Sequence, residues 1–150
     1  MRWNHVAITV RDMEKSLAFY RDALGLKLFI DEVISGPDLD KAIMETGVRI
    51  RMVMLTDEAM NMIELLEWQS HRARKRPREH LKFISTGLVE ICLSVPDLEK
   101  LVENLEKKGF KCRTPIWYFE AGGMGSKVTH VADPDGVQVE LIEIPGQGSV

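Results

Sequence analysis

Four residues bring acid–base chemistry to positions where a strand ordinarily carries an apolar or a solvated side chain: His5, Glu64, Glu90 and Glu140. Carboxylates and an imidazole move protons, and together they chelate divalent cations. The four are scattered along the 150 residues, so the fold must assemble any chemistry they share. A repeat offers the means. Asn4-His5-Val6-Ala7-Ile8-Thr9-Val10-Arg11-Asp12-Met13 returns at an offset of 85 as Val89-Glu90-Ile91-Cys92-Leu93-Ser94-Val95-Pro96-Asp97-Leu98. Met62-Ile63-Glu64-Leu65-Leu66-Glu67 returns at an offset of 76 as Gln138-Val139-Glu140-Leu141-Ile142-Glu143. His5 thus corresponds to Glu90, and Glu64 to Glu140.

The elements that must position these side chains follow from periodicity. Strand side chains alternate between faces. Val6, Ile8 and Val10 form one face of the first strand and leave His5 on the other. Ile91 and Leu93, Ile63 and Leu65, and Val139 and Leu141 do the same for Glu90, Glu64 and Glu140. Asp12 and Asp97 are placed to cap helices that begin at Met13 and Leu98. The apolar stripes Met13, Leu17, Tyr20, Leu24 and Leu98, Leu101, Val102, Leu105 predict the faces of those helices that pack on the strands. Gly25 and Gly109 stand where left-handed residues end helices. Each half therefore reads strand, helix, strand, strand, strand. The modules are 1–67 and 87–145, joined by a linker at 68–86, with a short helical insertion expected within 36–47.

A lone Glu on a strand is ordinarily solvated. Four equivalent polar positions instead fit two sheets that curl towards each other under a pseudo-twofold, with the four side chains converging. Three carboxylates and an imidazole cannot share a dry cleft unpaired, because like charges repel and desolvation is costly. A divalent cation removes the conflict, and this donor set suits Zn, Ni, Co, Mn or Fe.

Counting outward from the Asp133-Pro134-Asp135-Gly136 turn places Thr129 beside Glu140, and Lys127 beside Ile142, on the cleft face. The same count places Val53 and Arg51 there in the first module. Arg51 and Lys127 would hold a substrate carboxylate or phosphate, or else reach solvent at the sheet edge. Trp117 and Phe119, ahead of the glycines at 122, 123 and 125, would border the cleft as further substrate contacts. That segment forms either a mobile cover or a hairpin. By the same count His130 falls on the helix side or at an interface and is not a ligand. His71 and His80 are read as solvated, and Cys92 and Cys112 as reduced, small core hydrophobes.

Composition narrows the function classes. Net charge is −3, and Arg72–Arg78 holds five positive charges and no negative ones, so the remainder sums to −8. A mildly acidic body with one basic knot, read as a solvated linker helix or loop with a phosphate-reading patch as the alternative, is a poor nucleic-acid binder. The longest run without Asp, Glu, Lys or Arg, Trp3–Val10, is eight residues. It predicts neither a membrane span nor a signal peptide, and the expected location is cytoplasmic.

Asn4-His5-Val6-Ala7-Ile8-Thr9-Val10, Ser16-Leu17-Ala18-Phe19-Tyr20 with Leu24-Gly25-Leu26, Met62-Ile63-Glu64-Leu65, and Asp133-Pro134-Asp135-Gly136 with Val139-Glu140-Leu141 resemble the vicinal oxygen chelate superfamily. That superfamily includes glyoxalase I, methylmalonyl-CoA epimerase, extradiol dioxygenases and bleomycin or fosfomycin resistance proteins. The resemblance covers about 1–70 and 86–144. It implies an α+β fold of two βαβββ modules forming a curved mixed sheet around a metal-binding cleft. It also implies metal ligands at His5, Glu64 and Glu140 and at position 90, where His is usual and Gly87-Leu88-Val89-Glu90 carries Glu. Extradiol dioxygenases use two His and one carboxylate on Fe(II), which this set disfavours. The resistance proteins usually lack most ligands. The glyoxalase and epimerase branches fit better: a lyase or isomerase that abstracts a proton next to a carbonyl, with Glu140 as base and Glu64 as its symmetric partner. The implied substrate is a small carbonyl, hydroxy-acid or thioester compound, and the implied assembly a homodimer. A dioxygenase and a non-catalytic drug-binding protein are the alternatives.

Overall fold

The computed structural model describes residues 3–146. The chain divides into two compact units, Met1–Lys75 and Arg76–Val150. In the first unit the order is β1 (His5–Val10), α1 (Met13–Leu17), β2 (Lys27–Ser35), α2 (Pro37–Ile43), β3 (Arg49–Thr56) and β4 (Met62–Trp68). In the second it is a short 3-10 turn (Arg78–Leu81), β5 (Ile91–Ser94), α3 (Leu98–Lys107), β6 (Trp117–Ala121), β7 (Met124–Ala132) and β8 (Gln138–Glu143). Each unit builds one four-stranded mixed sheet, ordered β1-β4-β3-β2 and β5-β8-β7-β6. The first strand of each unit runs parallel to the last, and the remaining pairs are antiparallel. Among the described residues no helix is long and apolar enough to cross a membrane.

The same device starts both main helices. Asp12 Oδ1 accepts from Lys15 N at 3.1 Å, and Asp97 Oδ1 from Lys100 N at 3.0 Å. The final strand then reaches back. Glu67 Oε1 accepts from Met13 N and Glu143 Oε2 from Leu98 N, each at 2.8 Å. Two of the amides that every helix start leaves unpaired are thus satisfied in each unit, by acids that also suit the positive end of the helix dipole. Leu98 and Leu105 are fully buried, as are Met13, Leu17 and Tyr20 to within 2%. Each such side chain contributes about 1.5–3 kcal/mol by burial. The first helix departs from simple periodicity. It continues over Ala18–Ala23 as a π-helix, with Leu24 N donating to Phe19 O. The wider turn buries the adjacent Phe19 and Tyr20 together, and leaves Leu24 only half-buried.

The insertion within 36–47 forms α2. Pro37 starts it, left-handed Met44 ends it, and the Asp40 carboxylate accepts from Gly47 N and Val48 N at 2.8 Å each. The segment 121–124 is a tight hairpin: Ala121 pairs with Met124 around Gly122 and Gly123, both at positive φ, as a two-residue primed turn requires. Gly125 has no room for a side chain, because the Tyr118 ring occupies the place its Cβ would take.

The β3–β4 and β7–β8 hairpins correct the sequence reading by one residue. Asp133 N donates to Val137 O, Gly136 N to Asp133 O, and Gly136 has φ 93°. The loop is therefore three residues long, with a left-handed third position, and pairing resumes at Ala132 with Gln138. The first hairpin repeats this with Met60 at φ 64° and Thr56 opposite Met62. The added residue sets Lys127 opposite Glu143, Thr129 opposite Leu141, Arg51 opposite Glu67 and Val53 opposite Leu65. A one-residue shift moves a side chain to the other face, so all four leave the face of Glu64 and Glu140.

Candidate metal centre

Within the first unit, His5 and Glu64 share a face. Ala7 is the register partner of Glu64, and two residues earlier His5 Nε2 lies 3.6 Å from Glu64 Oε2. Met54 stands on the other side of Glu64, on β3. The other ring nitrogen of His5, Nδ1, lies 2.7 Å from Asn4 Oδ1.

Within the second unit the equivalent positions are polar. Cys92 pairs with Glu140 across β5 and β8, where the first unit has Ala7. His130 pairs with Glu140 across β7 and β8, where the first unit has Met54. Cys92 Sγ donates to Glu140 Oε1 at 3.0 Å. His130 Nε2 lies 3.4 Å from Glu140 Oε2 and 3.3 Å from Glu90 Oε2. Glu90 directly precedes β5 and stands one alternation before Cys92, so it shares their face. Phe83 meets the imidazole edge-on, with ring centroids 5.8 Å apart. Trp117 and Phe119 pair with Val128 and Ser126, which puts them on the His130 face. Their rings form an edge-to-face pair at 5.5 Å.

Two readings of the sequence change here. His130 is not on the helix side but on the face of Glu140, for the register reason given above. Cys92 is not a core hydrophobe: it is exposed, on the face assigned to it by alternation, and bonded to Glu140. Its thiol is pushed up to about 12, first by burial of the sulfur and then by the hydrogen bond to Glu140 and the charges of Glu140 and Glu90. It stays a protonated donor at neutral pH.

The residues expected to greet a substrate anion have other partners. Arg51 grips Asp31 with two bonds of 2.9 and 2.8 Å and Glu14 of α1 at 2.6 Å. Hydrogen bonds to Asp31 and then to Glu14 push the guanidinium further up, and the same contact lowers Asp31. Lys127 bonds Glu99 of α3 at 2.8 Å and lies 3.2 Å from Glu143. Both cations brace a helix against its sheet. Thr129 is fully buried, and its hydroxyl donates to Thr114 O at 2.7 Å.

The second unit's donors fit a divalent cation. Glu90, His130 and Glu140 each offer a ligand atom, all within 4.8 Å of one another. Glu90 Oε2 is, among the described residues, the buried side-chain oxygen or nitrogen left without a hydrogen-bond partner. Two carboxylates and an imidazole match the borderline first-row metals. A second acidic group, Asp97, Glu99 and Glu143, is different: Lys127 and the Leu98 amide already neutralise it. Arg72, Arg74 and Lys75 of the basic run line an open cavity of about 440 Å³ with Arg11 and Ala73.

The comparisons with known proteins agree with this architecture. A model of the Glyoxalase/Bleomycin resistance protein/Dioxygenase superfamily matches residues 2–141. The chain is 32% identical over 142 residues to the mitochondrial methylmalonyl-CoA epimerase of Homo sapiens, covering 93% of this chain and 72% of that one. It is 27% identical over 165 residues to the lactoylglutathione lyase of Pseudomonas aeruginosa, covering 99% and 85%. A crystal structure of a glyoxalase family protein from Bacillus cereus superposes with a TM-score of 0.85 at 17% identity, covering 97% and 95%.

Proposed function

The chain belongs to the Glyoxalase/Bleomycin resistance protein/Dioxygenase superfamily, and from that premise we propose that it is a divalent-metal-dependent isomerase or lyase. The reaction is proton abstraction from a carbon next to a carbonyl, in a small hydroxy-acid, keto or thioester substrate. The ligand set is His5, Glu64, Glu90 and Glu140. The ion, when bound, supplies a Lewis acid for the negative charge that develops on the substrate oxygen.

The chain's own groups do the rest. Glu140, acting when it is detached from or weakly held by the ion, takes the proton from carbon and returns it to the opposite face or to the neighbouring carbon. Glu64, its counterpart by the repeat, is the second acid–base carboxylate. The Cys92 thiol donates to Glu140 Oε1 and so orients the base from the adjoining strand. Trp117, Phe119 and Phe83 are exposed on this side of the second unit and supply apolar surface for a substrate.

The observation that carries this reading is the close grouping of Glu90, His130 and Glu140 on one sheet face, with a buried carboxylate oxygen left unbonded. The test is elemental analysis of protein purified without chelator, followed by substrate incubation in D2O. The expected result is a stoichiometric transition metal and deuterium uptake at the carbon next to the carbonyl, abolished by chelation and restored by metal. Tight ligand binding without exchange would replace this reading with a drug-binding protein. Oxygen consumption with Fe(II) would replace it with a dioxygenase.

A further inference from the structure

His130 has the geometry of a ligand that has been oriented in advance. Its backbone N–H donates to Thr114 Oγ1 at 3.1 Å, and the same hydroxyl lies 3.5 Å from its Nδ1. Thr114 is itself held, because the buried Thr129 hydroxyl donates to its carbonyl at 2.7 Å. A metal-binding imidazole characteristically spends one ring nitrogen on an outer partner, which fixes the tautomer and aims the other nitrogen at the ion. Here Nδ1 faces the hydroxyl and Nε2 faces two carboxylate oxygens.

The Nε2 contacts are not ordinary hydrogen bonds. Nε2 is 3.3 Å from Glu90 Oε2, yet that buried oxygen has no hydrogen-bond partner. Ligand atoms bonded to one cation at about 2.0–2.2 Å, at right angles, stand about 3 Å apart without any proton between them. The separations of 3.3 and 3.4 Å from His130 Nε2 to the two carboxylates approach that spacing. Phe83 stands nearly perpendicular to the ring, with centroids 5.8 Å apart.

We propose that His130 Nε2 is a direct ligand of the divalent ion, with Glu90 and Glu140, and that Thr114 and Thr129 are its positioning residues. This rests on the metal-dependent reading above and adds an imidazole from a strand that the ligand set there does not use. Three donors then come from the second unit, on β7, on β8 and just ahead of β5.

The experiment is zinc titration of the intact chain, read by 15N resonances of its four histidine side chains and by equilibrium affinity. The His130 Nε2 resonance is expected to move in step with zinc occupancy. H130Q is expected to bind zinc at least tenfold more weakly, and T114V more weakly by a smaller factor, with the His130 resonance altered. Zinc bound at full affinity by H130Q, or bound while the His130 resonance stays still, would overturn the inference and leave the metal-dependent reading standing. A wild-type chain that binds no zinc, cobalt, nickel, manganese or iron would overturn both. The resonance measurement needs no variant, so poor folding of H130Q would not spare the inference.

Discussion

The two units share a skeleton and differ in what they place around it. Their bracing is duplicated almost group for group. Asp12 and Asp97 cap, Glu67 and Glu143 bond the first helical amide, and Arg51 and Lys127 tie the helix acids Glu14 and Glu99 to the sheet. Around the key carboxylates the duplication stops. Glu64 stands between Ala7 and Met54, and Glu140 between Cys92 and His130. The groups that hold helices on sheets are retained in both copies, and an imidazole stands near the carboxylate in both, at 3.6 Å in the first and 3.4 Å in the second, whereas polar cross-strand neighbours flank the carboxylate only in the second. The second unit surrounds Glu140 with a thiol and an imidazole, and the first pairs Glu64 with His5.

The largest expected effect tests that asymmetry. Glu140→Gln removes the proposed base while keeping its shape, and turnover should fall by about 10²–10⁴-fold. Glu64→Gln should cost visibly less under the same assay. Equal losses would mean that the neighbours of Glu140 do not distinguish it, and full activity in Glu140→Gln would remove it as base. Next comes the duplicated bracing. Glu67→Ala and Glu143→Ala each leave a helix amide without its charged acceptor, and each should lower stability by about 1–2 kcal/mol in denaturant unfolding. Similar losses would establish that the bracing is equivalent in the two units. A loss confined to one would break the comparison.

Sequence periodicity made much of this legible, and one turn concealed the rest. The alternation of Val6, Ile8 and Val10 with His5 and Ala7 is a local signal, and the sheets keep it. The caps at Asp12 and Asp97 are equally local. Cross-strand register is not, because it depends on the number of residues the loop absorbs. Asp133-Pro134-Asp135-Gly136 carried a usable sign: a type I turn followed by a left-handed glycine adds a residue to the loop. In the first hairpin Met60 takes that conformation without being glycine, so no sequence sign marks it. Counting the turn one residue short sent His130 to the wrong face and brought Thr129, Lys127 and Arg51 to the wrong one as well. Cys92 failed differently. Its face was readable, but a cysteine at strand spacing looks the same whether it meets apolar atoms or a carboxylate.

A smaller effect separates the two braces. Arg51 holds Asp31 bidentately, and Lys127 has no such partner. The bond to Arg51 lowers the Asp31 pKa relative to the unfolded chain. Its contribution is therefore complete above the unfolded value, near 3.9, and is lost as pH falls through the lower folded value. Asp31→Asn should cost about 1 kcal/mol at pH 7, a modest figure for a part-exposed pair. The gap between wild type and variant should close only below about pH 4. A gap that closes between pH 7 and 5 would assign the effect to another group.

The smallest effect bears on what separates Glu140 from Glu64. Cys92→Ala recreates, beside Glu140, the neighbour that Ala7 provides for Glu64. It deletes one donor to a carboxylate and little packing, since Cys92 is exposed. A bond of this kind orients its acceptor, so the loss should appear as a several-fold fall in kcat with KM nearly unchanged. Thermal stability should stay within about 0.5 kcal/mol, as for most exposed sites. Cys92→Ser restores a hydroxyl donor with a shorter reach and should recover part of the rate. If Ser and Ala behave alike, the thiol's bond to Glu140 does not position the base. The contrast between the units would then rest on His130 alone.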